Sequence, residues 1–199
     1  STMLGLVNDL LDAAKIEAGK FQIIKITGDL GTIIKDRVVF FQQMAEPKQI
    51  SIASEATTAP LEAEFDRDRM TQVFNNLLSN AIKFTAVGGK ITIDAYKISQ
   101  ASEIKWRFSP PNNPPALSSQ PNILISISDT GLGIPKEKIS DLFSKFKQLG
   151  KNAEGMKGTG LGLVIAKGII ESHGGTIFVE SEVNSGTTFH FTLPLTTSS

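Results

Sequence analysis

Asn76, Asn80 and Lys83 are spaced i, i+4 and i+7, so on a helix they fall within an arc of roughly 60°, set apart from the apolar arc of the same stretch. Amide oxygens are hard ligands suited to Mg²⁺, which keeps several waters and borrows oxygens from a phosphate substrate. A lysine one turn along neutralises those same phosphates. Two amides and a lysine alone also describe an ordinary solvated helix face. Two glycine-rich runs further along the chain give them a chemical meaning.

Asp129-Thr130-Gly131-Leu132-Gly133 ends an apolar, β-rich segment, placing a carboxylate at the mouth of a sheet beside backbone without side chains. A carboxylate accepts a hydrogen bond from an exocyclic amine such as adenine's, and glycines let a flat base approach. Gly158-Thr159-Gly160-Leu161-Gly162 opens a helix, whose free N–H groups and positive dipole end form an anion site. Alone, the first run is a polar turn and the second a hinge. A dinucleotide fold competes for the second run, with Glu180 about twenty residues on as a ribose ligand. It fails on context: residues 151–157 are no strand, and Leu163 stands where the third glycine belongs.

The elements that must position these groups are legible in the periodicity. An amphipathic helix spans Met3 to Lys20 on Leu4, Val7, Leu11 and Ala14, widened by Leu10, with Gly19 where it stops. Such a helix either packs on the body or pairs with a partner chain. Phe21–Ile26 reads as a strand, and Asp29 caps a helix running to about Ala45. Ile50–Ala53 is a further strand. Phe65-Asp66 introduces a helix over Arg67–Phe84, with Met70, Val73, Phe74, Leu77, Ala81 and Ile82 inward. Gly88-Gly89 turns into a strand, Lys90–Ile98.

Residues 99–121, rich in proline and serine, form a long surface connection in which Trp106 and Phe108 dock on the body. A strand over Ile123–Ser128 ends at Asp129, and Pro135 opens a helix to about Phe146. Residues 147–157 form a polar loop, before a helix over Leu161–Ser172 that ends at Gly174-Gly175. Strands Thr176–Ser181 and Thr187–Leu195 close the chain around an Asn184-Ser185-Gly186 turn. Strands in blocks and consecutive hairpins predict an α+β two-layer sandwich, not a doubly wound parallel sheet.

The 199 residues suffice for one main domain with an appendage. Twenty basic and twenty acidic side chains leave no global field to draw in nucleic acid or an anionic membrane, so any anion must be held by local geometry. With no cysteine, disulfides, thiolate metal sites and cysteine nucleophiles are excluded. No apolar run approaches the ~20 residues that cross a bilayer, and the N-terminus is not a signal peptide. The expectation is a cytoplasmic fragment excised from a longer protein, whether or not that protein is membrane-anchored, without nucleic-acid or membrane contact of its own.

The order of these motifs carries a resemblance. Asn75-Asn76-Leu77-Leu78-Ser79-Asn80-Ala81-Ile82-Lys83-Phe84-Thr85 resembles the N box of sensor histidine kinases, and Asp129 to Pro135 their first glycine box. Leu142-Phe143-Ser144-Lys145-Phe146 resembles their phenylalanine box, and Gly158 to Leu163 their second glycine box. The likeness covers nearly all of residues 21–195. In addition, Asp9-Leu10-Leu11-Asp12 with Ile16-Glu17-Ala18-Gly19-Lys20 resembles the end of the second helix of the family's dimerisation and phosphoacceptor domain.

The resemblance implies the Bergerat-type ATP fold: a mixed, mostly antiparallel sheet covered by helices on one face, with an ATP lid over residues 147–158. It divides the chain into residues 1–20, from the dimerisation domain, and a catalytic domain over 21–199. The 99–121 insertion departs from the compact family pattern. By position, Asn80 becomes the Mg²⁺ ligand, Asn76 and Lys83 phosphate-side catalytic contacts, Asp129 the adenine anchor and Thr188 a secondary adenine contact. Gly131, Gly133, Gly158, Thr159, Gly160, Leu161 and Gly162 complete the nucleotide site.

The implied activity is transfer of the γ-phosphoryl group of ATP to a histidine of the dimerisation domain, for relay to a response regulator receiver domain. The full-length protein would be a homodimer. His173, directly before a helix stop, and His190, in the terminal strand, are poor substitutes for the missing phosphoacceptor. Two alternatives share the fold: an ATP hydrolase of the gyrase, mismatch-repair or heat-shock chaperone kind, or a noncatalytic nucleotide-binding module. The hydrolases place a glutamate general base where this chain has Asn76, and an amide cannot serve as that base.

Overall fold

The computed structural model describes residues 3–55, 59–108, 115, 117, 120–144 and 159–195. The first helix, α1, runs over Met3–Glu17 and closes at Gly19, whose φ of 63° lets the Lys20 N–H turn back to the Lys15 carbonyl. Its expected apolar stripe is not the face that packs. Val7, Leu10 and Leu11 are about half exposed, whereas Asp12 and Ala13 are buried and Ile16 rests on the core.

Strand β1 is Ile26–Asp29, so the strand expected at Phe21–Ile26 begins where that expectation ended; residues 21–25 find no ladder partner among the described residues. Asp29 caps α2 (Leu30–Ala45), its carboxylate accepting from the Gly31 N–H at 3.0 Å. Next come β2 (Ser51–Ser54) and β3 (Glu62–Phe65), the latter paired antiparallel with β1 in a two-stranded sheet.

Asp66 caps α3 (Arg67–Phe84), which buries Met70, Val73, Phe74, Leu77, Leu78 and Ala81 along one side. That stripe leaves the arc of Asn76, Asn80 and Lys83 half-buried at its edge. Beyond α3 lie β4 (Lys90–Ile98), β5 (Asn122–Asp129), the single turn α4 (Lys136–Ile139), α5 (Gly162–Ser172), β6 (Ile177–Glu182) and β7 (Gly186–Pro194). The helix expected from Pro135 to Phe146 is thus one turn, with non-helical turns on to Ser144. Lys145 and Phe146 lie outside the described residues, as does the whole of the expected lid over 147–158.

The main sheet has the order β2-β4-β5-β7-β6, with only β2–β4 parallel. This is the mixed, mostly antiparallel α+β sandwich expected. Period-two alternation splits the central strands cleanly. Ile123, Ile125 and Ile127 of β5 and Phe189, Phe191 and Leu193 of β7 face the core shared with α2, α3 and α5. Leu124 of β5 and Phe178 of β6 face the other way, where Ile104 and Trp106 from the 99–121 connection pack on them. Trp106 therefore docks on the body, as expected.

Candidate active site

The site is assembled where the end of β5 meets α3 and the start of α5. Asp129 is the last residue of β5 and points to the helix side, only 5% exposed. Oδ1 accepts from the Gly131 N–H at 2.8 Å, and the main-chain N–H of Thr187, its cross-strand partner, also donates to the carboxylate. Burial nevertheless pushes the carboxyl up to about 6, against the lowering effect of these two N–H groups and of the Arg107 charge. A buried carboxylate that remains this costly to ionise is matched to a further donor from a ligand.

The first glycine run is pinned between two walls. The Leu132 N–H reaches the carbonyl of Phe84 at the end of α3, and the Asn184 N–H of the β6–β7 turn reaches the carbonyl of Leu132. A Cβ on Gly131 would stand 2.5 Å from the Phe84 carbonyl oxygen, and one on Gly133, whose φ is +67°, would stand 2.0 Å from that of Glu182. Both positions accept glycine alone, and the backbone beside Asp129 is left bare as a result.

On α3, Asn76 donates its side-chain N–H to the Gly162 carbonyl at 3.0 Å. This bond ties the asparagine arc to the start of α5, where a Cβ on Gly162 would crowd the Asn76 amide at 3.3 Å. Leu161 precedes the helix without a side-chain cap, so the opening N–H groups of α5 are not closed off by a capping side chain. The Leu161 N–H itself is taken by the Thr159 hydroxyl at 3.2 Å. Gly160 adopts a φ of +71°, turning the chain into the helix. The Asn80 amide makes no hydrogen bond to another described residue, and the Lys83 ammonium lies 5.2 Å from the ring centre of Phe84.

Along α3 the structure thus sets Asn76 against Gly162 of the second glycine run, which Thr159, Gly160 and Leu161 precede, and Phe84 against Gly131 of the first, with Asp129 and Gly133 beside it. Asn80 and Lys83 lie on α3 between these two contacts, and this side of the sheet is the candidate cleft. Gly158 lies outside the described residues. Thr188 does not belong with them. It faces the opposite side of the sheet, where its hydroxyl meets that of Ser128 at 2.9 Å. Thr187 is the threonine beside Asp129: it is the register partner, and its hydroxyl lies 2.9 Å from Ser181, on the cleft side. The correction is one of strand parity, because successive residues point to opposite faces. Strand alternation from Phe189 and Phe191, both inward, was the available signal.

A carboxylate at a sheet end, a bare glycine loop and an amide-bearing helix facing a helix N-terminus define a nucleotide-binding α+β fold. The sequence model of the family described as histidine kinase-, DNA gyrase B-, and HSP90-like ATPase matches residues 65–197. The chain belongs to this family, as a catalytic ATP-binding domain of the sensor histidine kinase type.

It is 32% identical over 197 residues to the sensor histidine kinase WalK of Bacillus subtilis, covering 96% of this chain and 28% of WalK. ShkA, solved full-length in complex with AMPPNP, superposes with a TM-score of 0.77 at 25% identity over 99% of this chain and 36% of that one. The catalytic domain of the histidine kinase ThkA superposes at 0.66 with 30% identity over 87% of this chain and 99% of that domain. ThkA has also been solved in complex with the response regulator protein TrrA. The chain therefore spans under a third of WalK's length, but nearly the whole of an isolated catalytic domain.

Proposed function

We propose that this chain positions Mg-ATP for transfer of its γ-phosphoryl group to a histidine on the helical dimerisation domain of the same protein, for relay to a response regulator. The observation that carries the proposal is the Asn76–Gly162 bond, which holds the asparagine arc against the start of α5. In that arrangement Asn76 stands where a hydrolase of this fold has its glutamate, and a side-chain amide already donating to a carbonyl has no means of deprotonating water. An imidazole nucleophile needs no such base.

The residues fit the implied ligands. Asp129 receives the adenine amine, and the bare Gly131 backbone admits the base. Asn80 presents its amide oxygen to Mg²⁺, Lys83 faces the phosphates, and the start of α5 offers N–H groups to the same charge. Bound Mg²⁺ supplies neutralisation of phosphate charge. The protein's own work is orientation and electrostatic preorganisation, with no covalent step on its side chains. The half-exposed Val7, Leu10 and Leu11 of α1 fit residues 1–20 as the end of a dimerisation helix that pairs outside the catalytic domain, consistent with a homodimer.

The test mixes this chain with radiolabelled Mg-ATP and a separate phosphoacceptor helical domain. The expected product is acid-labile, base-stable phosphate on the acceptor. Steady phosphate release without acceptor labelling would instead identify a hydrolase, and nucleotide binding with neither would identify an inert module.

A further inference from the structure

The sheet face turned away from the helices is covered by the chain's own insertion. Residues 104–108 lie across β6 and β7. The Trp106 ring meets His190 edge-on at 5.5 Å and Phe178 at 5.6 Å, while Phe178 stacks on His190 at 5.0 Å. Beneath this layer Glu180 is 4% exposed. The main-chain N–H groups of Arg107 and Phe108 donate to its two oxygens at 2.8 and 2.7 Å, and Oε1 also accepts from His190 Nε2 at 3.0 Å. Two of these three donors come from the strap. Glu180 and the strap therefore hold each other in place, since a buried carboxylate stripped of its donors is costly.

From this anchored backbone the Arg107 side chain reaches the strand ends. One guanidinium nitrogen donates to the Asp129 carbonyl and another to the Ser185 carbonyl, both at 2.7 Å. The Asp129 carbonyl is also fenced by Gly186, on which a Cβ would stand 2.0 Å from that oxygen. Between guanidinium and glycine, the peptide plane after Asp129 has one orientation, and that plane fixes where the side chain of Asp129 emerges on the cleft side.

We propose that Arg107 is a positioning residue for the adenine anchor: the 104–108 strap grips Asp129 from behind the sheet, so that nucleotide affinity depends on strap docking. The inference rests on the reading of the cleft as an adenine site. Its electrostatics agree, because the Arg107 charge also favours the ionised form of Asp129. By linkage the coupling is reciprocal, and a bound nucleotide tightens the strap.

Trp106 is the single tryptophan and lies on the strap, so its fluorescence reports docking. Calorimetric titration of Mg-ADP across pH, with acrylamide quenching of Trp106, tests the coupling in wild type, Arg107→Ala and Arg107→Lys. Arg107→Ala is expected to weaken Mg-ADP roughly tenfold, the loss of a charge-assisted contact acting through Asp129. The pH midpoint of binding should move upward with it. Arg107→Lys should restore the midpoint and part of the affinity. In wild type, saturating Mg-ADP should shield Trp106 from acrylamide. Wild-type affinity and midpoint in Arg107→Ala, with only a lowered Tm, would overturn the proposal and leave the strap as cladding. Should Arg107→Ala not fold, the wild-type quenching decides: quenching indifferent to Mg-ADP also overturns it. A wild-type protein that does not bind Mg-ADP at all removes the adenine reading itself.

Discussion

Two carboxylates lie on opposite faces of the sheet with β7 between them, Asp129 at the end of β5 on the helix face and Glu180 on the edge strand β6 on the covered face, and both are buried to within 5% exposure. Burial raises both. For Glu180, the His190 bond and the N–H groups of Arg107 and Phe108 outweigh that penalty and hold it below the usual range. For Asp129, two N–H groups and a nearby guanidinium fall short, and it stays at about 6. Glu180 finds its donors within the chain, whereas Asp129 is left short of them, which is what the adenine role proposed for it requires.

The largest expected effect that sharpens this contrast comes from Asp129→Asn. The asparagine oxygen can still accept from Gly131, which turns its NH₂ toward the adenine amine, donor against donor; ATP affinity should fall by roughly a hundredfold or more by calorimetry. Unchanged affinity would break the comparison at its root. Folding should move the other way. Because the native carboxyl titrates at about 6 and the unfolded one near 3.8, the native state binds more protons between those values, so ionised Asp129 lowers stability as pH rises through that window. Two pKa units correspond to about 3 kcal/mol at most. Asp129→Asn should thus gain stability relative to wild type from pH 4 to pH 7. Taking the difference between the two proteins cancels the opposing contribution of His173, whose pKa is lowered by burial. Chemical denaturation of both at several pH values reads it directly.

Asn80→Ala should have the next largest effect, removing the Mg²⁺ dependence of ATP binding; affinities measured with and without magnesium should converge, a change of about tenfold. Persistent magnesium sensitivity would move the metal to another ligand. Glu180→Gln should show the smallest effect on nucleotide, a few-fold loss through a loosened strap, with a stability cost of about 1–3 kcal/mol from the donor it sets against the strap N–H. If instead it matched Asp129→Asn in affinity and spared stability, the division of labour between the two faces would be reversed.

Much of the scaffold is legible in the sequence because its signals are local. The bounds of α3 and β4 follow from the Asp66 cap, a sustained apolar stripe and the Gly88-Gly89 turn. By contrast, β3 is not: Glu62-Ala63-Glu64-Phe65 is short and poor in β-formers, and acquires strand character from β1 far away in sequence. The residues proposed for the nucleotide, on α3 and in the glycine runs, are singled out in the sequence by type and spacing, and the structure packs α3 against both runs. Thr188 stood in for Thr187 because adjacent threonines differ only in the face they present, which pairing fixes. Arg107 leaves no sequence signal at all. Its partners Asp129, Glu180 and Ser185 lie 22, 73 and 78 residues away, and nothing in a proline-rich connection announces them.

His173 and His190 are the chain's only imidazoles, and each is nearly sealed from solvent. His173 receives the Asp66 N–H on Nε2 at 3.0 Å and gives its Nδ1 proton to the Ile169 carbonyl at 2.7 Å. His190 pairs one ring nitrogen with Ser126 and the other with Glu180. Both rings are thus engaged at both nitrogens, in opposite tautomers when His190 carries its proton on Nε2. With both rings engaged in this way, nitrogen-bound phosphate recovered from a mixed reaction is expected on the acceptor and not on this chain, and peptide mapping of the labelled products reads it.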